Sequence, residues 1–368
     1  MSLELVTAGE SHGPALVAIL TGLPAGLTLD RAAIDADLRR RQEGYGRSPR
    51  QRIESDEVEV LAGLRHGRTL GTPLALIVHN RDHANWAWGM SPWPPEGEPS
   101  GKGTKPVTLP RPGHADLAGA LKYGLADVRD ALERASARHT AAVVAAGAVA
   151  KALLTTIGIE VAARVLGDDL EQRVDAARAD RDTVGGLVEV RAHRVPPGLG
   201  SYATKDARLD ARLAATLMGT QAVKGVEIGD GFALALKRGS EAHDEIRADD
   251  EGRLHRETNR AGGIEAGVSN GEEVVVRAAM KPLPTLMRPL ASVDLETGEP
   301  GQALVERSDT AAVEALAVVA EACVAWELAR AARDKFGGDS IDDFLAAHRA
   351  YLERIPWRRL TLSIGISS

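Results

Sequence analysis

The chain has 368 residues, of which 44% are hydrophobic, 26% charged and only 3% aromatic, and its formal net charge is −7. The length and composition are ordinary for a large globular protein with an aliphatic core, whereas the acidic balance argues against a nucleic-acid-binding protein. The single cysteine, Cys323, excludes an internal disulfide and a cysteine-based zinc site, and it fits a reducing compartment.

The first half of the chain predicts two helices separated by strands and a long loop. Residues 28–41 are expected to be helical, because Asp30 can cap the helix and Gly44 can end it. Strands are predicted at 57–64 and 73–78, a loop or lid rich in proline, glycine and lysine at 91–113, and the strongest helix at 127–157. The small residues of that last helix suit close packing in a core.

The second half alternates shorter strands and helices. Strands are predicted near 160–166, 187–191, 223–228 and 273–280, and helices at 205–218, at 310–335 and after Ser340, which can cap the last one. The order lacks a regular β-α-β alternation, which favours an α+β fold over a doubly wound sheet. Because neither a linker nor an internal repeat interrupts the sequence, one large domain over 1–368 is expected.

No segment is expected to enter a membrane. Glu4 and Glu10 interrupt the N-terminal stretch, which therefore lacks the basic-then-apolar pattern of a signal peptide. The longest apolar run, 141–150, stops at Lys151 and is too short and too rich in alanine to span a bilayer. We therefore expect a cytoplasmic protein.

The run Gly9-Glu10-Ser11-His12-Gly13 places an acid, a hydroxyl and an imidazole between two glycines. Glycine permits backbone conformations that residues with a Cβ avoid, and imidazole exchanges protons readily near neutral pH. The run therefore fits either a histidine held against a ligand or a simple turn before the strand at 15–20.

Further segments carry groups that suit an anionic ligand. Six arginines fall between positions 39 and 52, so this acidic protein could build a local positive pocket, although a solvated basic face fits equally well. A second histidine, His114, lies in a turn that Pro112 and Gly113 constrain. Arg134 and Arg138 stand one turn apart on one face of the predicted helix. Glycine-rich or rigid segments that could contact an anion lie at 259–264, 267–271, 281–285 and 307–309.

Metal and nucleotide fingerprints are weak or missing. His79 and His83 have a spacing that could hold a metal, but no third ligand is evident, so no metal site is expected. The sequence has neither the glycine fingerprint of a dinucleotide fold nor a P-loop. Each of the segments above also has a purely structural interpretation, as turn glycines, helix caps or surface arginines.

Taken in order, these segments resemble those of the chorismate synthase family along nearly the whole chain. Residues 9–13, 133–147 and 307–321 look like the three signatures of that family. The agreement extends to Gly44-Tyr45-Gly46-Arg47 and to the segments 111–116, 219–225 and 281–285. So many matches in the same order make a chance resemblance negligible.

The resemblance implies a fold, a reaction and a cofactor. The fold is a single-domain β-α-β sandwich, usually assembled as a homotetramer. The reaction is the 1,4-anti elimination of phosphate from 5-enolpyruvylshikimate 3-phosphate, a lyase step that gives chorismate in the shikimate pathway to aromatic amino acids. The family requires reduced FMN although the reaction has no net redox change, and the flavin is thought to lend an electron transiently and recover it.

The resemblance also implies which residues contact the ligands. Guanidinium forks suit the phosphates and carboxylates of substrate and FMN. By similarity, the residues that contact the substrate are Ser11, Arg41, Arg47 and Arg138. Some members of the family have a nicotinamide (NADP) site at this place. The FMN contacts are Arg134, Ala135, Ser136, Gln221, Ala222, the backbone at Ala266, Lys281, Pro282, Leu283, Pro284, Thr285 and Arg307.

Three residues are expected to carry the chemistry. By similarity, His12 protonates the departing phosphate, His114 keeps the reduced flavin monoprotonated, and Asp309 near flavin N5 helps to take the C6 proton. Anions beside an imidazole favour its charged form, so both histidines are expected to act in that form. The sequence alone does not decide which histidine serves which group.

Two positions depart from the family pattern on the predicted long helix. His139 replaces a glutamate and Val143 an arginine, four residues apart, where family members could form an ion pair. Losing both partners together suits a structural pair, because a single leftover charge would be costly. We therefore predict that the double change His139→Glu with Val143→Arg does not raise kcat. A severalfold rise at unchanged stability would contradict this interpretation.

A third departure is Ala266, which replaces a glycine of the family. An alanine is acceptable there only if its φ is negative, because a positive φ crowds the Cβ. A negative φ is therefore expected at this position.

Two other functions stay open from the sequence. A non-catalytic relative that binds flavin or anions is disfavoured because both histidines and Asp309 remain. A metal-independent phosphatase would release phosphate without flavin. Because the chain has no added domain or dinucleotide fingerprint, we expect an external source of reduced flavin.

Overall fold

Two antiparallel four-stranded sheets form the outer layers of the fold, and long helices pack between them. The computed structural model describes residues 2–48, 55–250, 254–305 and 309–355. The helices in these ranges are α1 (Arg31–Gln42), α2 (Asp116–Tyr123), α3 (Arg129–Ala135), α4 (Thr140–Thr155), α5 (Leu170–Ala179), α6 (Leu209–Met218), α7 (Gly239–Ala242), α8 (Val313–Phe336) and α9 (Ile341–Arg354).

The strands pair almost entirely with antiparallel neighbours. In chain order they are β1 (Glu4–Ala8), β2 (Ala15–Thr21), β3 (Val58–Ala62), β4 (Leu64–Arg65), β5 (Arg68–Thr69), β6 (Leu74–His79), β7 (Glu160–Leu166), β8 (Gly186–His193), β9 (Val223–Ile228), β10 (Ile246–Ala248), β11 (Leu254–Arg256), β12 (Ile264–Glu265), β13 (Val268–Ser269), β14 (Val274–Met280), β15 (Ala291–Val293) and β16 (Pro300–Gln302). The two large sheets have the orders β1-β2-β6-β3 and β7-β8-β14-β9.

The helices α4 and α8 form the middle layer and contact one another. Helix α4 also contacts β1, β2 and β6 of the first sheet, and α8 contacts β7, β8 and β14 of the second. Each sheet turns alternate side chains inward, as a half-buried strand should; in β2 these are Leu16, Ala18 and Leu20. One cluster of buried apolar side chains, from Leu3 to Phe344, joins both sheets. The predicted α+β class and β-α-β sandwich are confirmed.

Small residues let α4 and α8 approach closely, as the sequence of the 127–157 segment predicts. A Cβ added to Gly147 would lie 2.3 Å from the Cβ of Ala322 on α8. The backbones of the two central helices therefore meet with no room for a larger side chain at this point.

We expect Gly147→Val to lower the free energy of unfolding by about 2–3 kcal/mol, because the two helices must move apart to admit the side chain. Chemical denaturation measures this loss. Gly239→Val is the matched control, since among the described residues no atom beyond its chain neighbours and its own helix backbone lies within 4 Å of the position that its Cβ would take. Equal stability of the two variants would contradict the close approach of α4 and α8.

The prediction of one continuous helix over 127–157 is wrong. Helix α3 ends at Ala135, Ser136 has extended backbone with ψ of 143°, and α4 begins only at Thr140. The Ser136 hydroxyl accepts a hydrogen bond from the Arg138 backbone N–H at 3.3 Å, so serine starts a new turn instead of continuing the old one. Arg134 and Arg138 therefore do not lie one turn apart on a shared helical face.

Most other predicted elements are present with shifted ends. The strands at 160–166 and 223–228 have the predicted bounds. The segment 91–113 has no helix or strand, as expected of a loop. Asp30 caps α1 by accepting from the Ala32 N–H at 2.9 Å, and Ser340 with Asp343 forms a capping box on α9. The helix starts that the sequence predicts best are therefore those marked by capping residues.

The segment Arg129–Thr155 is long and apolar enough to cross a membrane by length and composition alone. In the structure it is broken at Ser136, and 67% of its most apolar window is buried inside the fold. Burial of this kind is what the core helix of a globular protein shows.

Candidate active site

A cavity of about 470 Å³ lies where the loop after β1, the end of α1, the break between α3 and α4, and the segment after β14 meet. Its volume falls in the range of sites that bind small organic ligands. These four segments end or interrupt helices and strands of the fold, so structured neighbours hold their side chains.

Most of the residues that the sequence assigns to a site meet in this cavity. Those that line it are Ser11, His12, Arg41, Arg47, His114, Ala135, Ser136, Arg138, Gln221, Ala222, Lys281, Leu283, Pro284, Thr285 and Asp309. Arg134, Pro282 and Ala266 are not among the lining residues. Arg307 lies outside the described residues, so the structure gives no position for its side chain.

The side chains that line the cavity are mostly basic although the protein is acidic overall. Among the described lining residues, the arginine and lysine side chains are those of Arg41, Arg47, Arg111, Arg138 and Lys281, and the only carboxylate is that of Asp309. A concave surface that gathers charge of one sign focuses the electrostatic potential on a ligand. The cavity therefore favours a small molecule with several negative charges.

The arginine cluster near the end of α1 divides between two roles. Arg41 and Arg47 line the cavity. Arg40 instead donates two hydrogen bonds of 2.9 Å to the Glu321 carboxylate on α8, and Arg39 is exposed. Both interpretations of the cluster thus hold in part, since two arginines build a positive pocket and two do not. The remaining two, Arg50 and Arg52, lie outside the described residues.

His12 is held by a buried carboxylate. Its Nδ1 lies 2.8 Å from Oε1 of Glu133, and its backbone N–H donates to Oε2 of the same side chain at 2.8 Å. The Glu133 side chain is 1% exposed. A carboxylate at Nδ1 keeps the proton on that nitrogen and fixes the ring orientation. The backbone at Gly9 has φ of 109°, and a Cβ there would lie 2.4 Å from the Ala15 carbonyl oxygen, so this turn requires glycine.

His114 has a matching arrangement. Its Nδ1 forms a very short contact with Oδ1 of Asp116, which is fully buried. Arg111 donates from Nε to Oδ2 of the same carboxylate at 2.9 Å. Burial raises the pKa of the Asp116 carboxyl, but the hydrogen bonds from His114 and Arg111 lower it more, so its pKa lies below the usual range.

Lys281 ties the His114 loop to the second sheet. It follows β14, and its ammonium group donates to the Gly113 carbonyl in a very short contact. Burial, and then the charge of Lys224, lower the pKa of Lys281. The lysine therefore supports the loop that carries His114 as well as lining the cavity.

Asp309 forms an ion pair with Arg47, which the family resemblance assigns to the substrate. Nη1 of Arg47 lies 2.7 Å from Oδ2 of Asp309, and the Ser48 backbone N–H donates to Oδ1 at 2.6 Å. Nε of Arg47 is buried without a hydrogen-bond partner among the described residues. Arg47 therefore retains one guanidinium donor, Nε, for a ligand anion.

A second buried carboxylate orients two cavity arginines. Oδ2 of Asp56 lies 2.7 Å from Nη1 of Arg138 and 3.4 Å from Nη1 of Arg41. Nε of Arg41 donates to the Thr140 hydroxyl at 2.9 Å. Burial lowers the pKa of Arg41, while Asp56 acts in the opposite direction. One acid thus fixes both guanidinium groups against the cavity wall.

The residues behind the wall include Arg134 and His139. Arg134 donates to the Thr7 and Gly9 carbonyls at 2.9 and 3.1 Å, so it holds the loop of His12. Nδ1 of His139 lies 2.9 Å from Nε2 of Gln221, and burial lowers the pKa of His139. His139 therefore supports a cavity residue in place of an ion pair with position 143.

The expectation of negative φ at Ala266 is wrong, since its φ is 51°. Ala266 and Gly267 form the two-residue turn between β12 and β13, and Gly267 has φ of 84°. Tight hairpin turns of this kind require positive φ at both central residues. The turn geometry therefore overrides the preference of alanine.

We expect Ala266→Gly to raise the free energy of unfolding by about 1 kcal/mol, because glycine removes the steric cost of the left-handed conformation. Denaturant unfolding measures the change. Ala248→Gly, on the exposed strand β10 with no positive φ, is the control and is expected to lose stability. A destabilising effect of Ala266→Gly would contradict the strain.

Sequence reasoning missed the acids that orient the site. Glu133, Asp116 and Asp56 are all 1% exposed or less. The first two lie inside motifs already singled out, and a charged residue in an apolar context was the available signal. Asp56 carries no such signal, because its partners are distant in sequence.

Metal ligation has no support among the residues that the structure describes, where no cluster of three or more histidine, cysteine or acidic side chains could hold an ion. His79 contacts Glu59 at 2.7 Å, whereas Nδ1 of His83 lies 2.9 Å from the His12 carbonyl oxygen. The two histidines thus have separate partners.

Comparison with known proteins gives consistent matches. A family model described as chorismate synthase matches residues 3–168 and 165–332. The chain is 52% identical to a chorismate synthase of Desulforudis audaxviator, covering 96% of this chain and 98% of that protein. It is 51% identical to one of Symbiobacterium thermophilum, covering 97% and 100%. A crystal structure of chorismate synthase, 35% identical, matches with a TM-score of 0.75 over 96% of this chain and 98% of that chain.

These matches cover both sheets, the central helices and most segments that line the cavity. They agree with the ordered motifs of the sequence, so the resemblance drawn from those motifs is confirmed. The chain belongs to the chorismate synthase family.

Proposed function

We propose that the chain eliminates phosphate from 5-enolpyruvylshikimate 3-phosphate to form chorismate, with reduced FMN as a required cofactor. The observation that carries this proposal is the pairing of two cavity histidines with two buried carboxylates, His12 with Glu133 and His114 with Asp116, inside a cationic cavity. An elimination of an anionic leaving group needs a proton donor near that group and cations around it.

The cationic wall suits the substrate. The substrate carries a phosphate and two carboxylates, and guanidinium groups bind such groups through paired hydrogen bonds. Arg41 and Arg138 are fixed by Asp56, so little side-chain freedom is lost when they bind an anion. We assign them to the substrate anions together with Arg47.

His12 is the proposed acid for the leaving phosphate. Because Glu133 accepts the Nδ1 proton, the Nε2 proton is the one that His12 transfers to the phosphate oxygen as the allylic C–O bond breaks. Glu133 then stabilises the proton that remains on the ring. Asp309 helps to accept the C6 proton, and its ion pair with Arg47 holds the carboxylate in place for that role.

We propose that the same cavity binds reduced FMN. Its volume of about 470 Å³ and its arginine and lysine donors suit a ring system with a phosphate tail. Oε1 of Gln221 is buried without a hydrogen-bond partner among the described residues, which leaves an acceptor for a ligand N–H. Ser136, Gln221, Lys281 and Thr285 would hold the cofactor. When bound, reduced FMN would lend an electron transiently to the allylic system and recover it. His114 would keep the reduced flavin monoprotonated.

An anaerobic assay with substrate separates this proposal from the alternatives. Chorismate absorbance and free phosphate are followed with and without dithionite-reduced FMN. We expect chorismate only when reduced FMN is present. Phosphate release without FMN would indicate a phosphatase, and no product under either condition would indicate a binding protein.

We further propose that reduced flavin reaches the enzyme from an external source and that the chain assembles as a homotetramer. Flavin reduction by NADPH with the pure protein would contradict the first statement. The native mass in solution tests the second, and a monomer would contradict it.

A further inference from the structure

The indole ring of Trp86 stacks on the imidazole of His12. The ring centroids lie 3.9 Å apart, and the ring planes are inclined by 21°. Trp86 is 7% exposed and follows the short turn Arg81–Asn85, well separated in sequence from His12. It does not line the cavity, so no step of the proposed reaction uses it.

Trp86 is itself held in place. Its Nε1 donates to Oδ2 of Asp82 at 3.0 Å, and Lys102 donates to the same oxygen at 3.0 Å. A Cβ on Gly103 would lie 2.9 Å from a carbon of the indole ring, so backbone packs directly against that ring. The indole is therefore a fixed surface for His12, with little freedom to move.

The stack on Trp86 restrains the plane of the His12 ring, which the Glu133 carboxylate alone leaves free to tilt. Glu133 bonds the edge of the imidazole at Nδ1 and so directs that edge. A contact at one edge still allows the ring to tilt about the hydrogen bond, whereas a stacked ring fixes the plane. Arg129 lies 5.1 Å from the indole and 3.7 Å from Glu133, and Lys102 lies 5.8 Å from the indole. Nδ1 of His83 lies 2.9 Å from the His12 carbonyl oxygen.

We propose that Trp86 is a positioning residue, whose indole fixes the plane of the His12 imidazole while Glu133 directs its edge. The inference rests on the proposed role of His12 as the acid for the leaving phosphate. An electron-rich indole face also suits a charged imidazole, because cations are attracted to it. Loss of the indole therefore slows proton transfer without weakening substrate binding.

The kinetic test compares Trp86→Leu, Trp86→Phe and the matched control Trp93→Leu, which removes an indole that is 78% exposed. We expect Trp86→Leu to lower kcat at least about tenfold with KM changed less than twofold, since small misplacements of a catalytic group are costly. Trp86→Phe should restore most of the loss, and Trp93→Leu should behave as the native protein. Native kcat in Trp86→Leu, or a rise in KM alone, would overturn the proposal.

A fluorescence cycle tests the contact itself without substrate or cofactor. His12→Ala is made in the native chain and in the Trp86→Phe chain, and tryptophan emission is compared. A stacked imidazole quenches its indole, so His12→Ala should raise emission in the native chain and leave it unchanged when Trp86 is absent. Equal changes in both backgrounds would overturn the stack.

The two proposals fail in distinguishable ways. If His12→Ala lowers kcat but Trp86→Leu does not, His12 acts as proposed and Trp86 has no positioning role. If His12→Ala itself keeps native kcat, the proposed role of His12 fails. If Trp86 positions His12, Trp86→Leu should add no further loss in the His12→Ala background.

Discussion

Replacing His12 with alanine is expected to lower kcat by about 10²–10⁴-fold while the protein stays folded, because one positioned acid contributes a factor of that size. The variant removes the side-chain contacts of His12 with Glu133 and Trp86. Arg129, with Nη1 3.7 Å from Glu133, still balances the carboxylate, so the fold should tolerate the change.

Steady-state chorismate formation under anaerobic conditions measures this loss, and circular dichroism checks the fold. His243→Ala is the control, since His243 is exposed and lies outside the cavity. Near-native turnover in His12→Ala would contradict the assignment of His12 as proton donor. A comparable loss in the control would show that the effect is not specific.

Asp116→Asn is expected to cost about 3–5 kcal/mol of stability, because it removes the carboxylate that is paired with the buried Arg111. Arg111 donates from Nε and from its backbone N–H to the Asp116 carboxylate, at 2.9 and 3.0 Å. Activity should fall as well, since the same carboxylate holds Nδ1 of His114. Denaturant unfolding measures the loss. Asp168→Asn, at an exposed site between β7 and α5, should change stability little.

The contribution of Asp116 to the stability of the protein depends on pH. The Asp116 carboxyl has its pKa lowered in the folded protein relative to an ordinary aspartate, whose pKa is about 4. Its contribution to stability is therefore complete above about pH 4 and is lost as the pH falls below that value. The stability difference between the native protein and Asp116→Asn should shrink below about pH 4. A difference that is constant or grows on acidification would contradict the buried ion pair.

The sequence predicts the elements whose signals are local. Strand β9 has the predicted bounds, because its alternation and its flanking turn are read from adjacent residues. The caps at Asp30 and Ser340 bond residues two or three positions away, and both are confirmed. The order of the motifs predicts many residues of the site, because these residues stand in short constrained turns.

Other features depend on partners that are distant in sequence. The break at Ser136 lies in a run of good helix formers, and Arg134 turns there to the carbonyls of Thr7 and Gly9. The roles of Glu133 and Asp56 as supports for cavity side chains appear only when the chain is folded. At Ala266, the hairpin connection sets the conformation against the preference of the residue.

We propose that the cavity performs an elimination that needs reduced FMN and leaves it reduced. The most direct measurement follows chorismate, phosphate and the flavin spectrum together in one anaerobic reaction. We expect chorismate and phosphate in equal amounts, over many turnovers, with the reduced flavin spectrum restored at the end. Phosphate without chorismate, or flavin oxidised in proportion to product, would contradict the account.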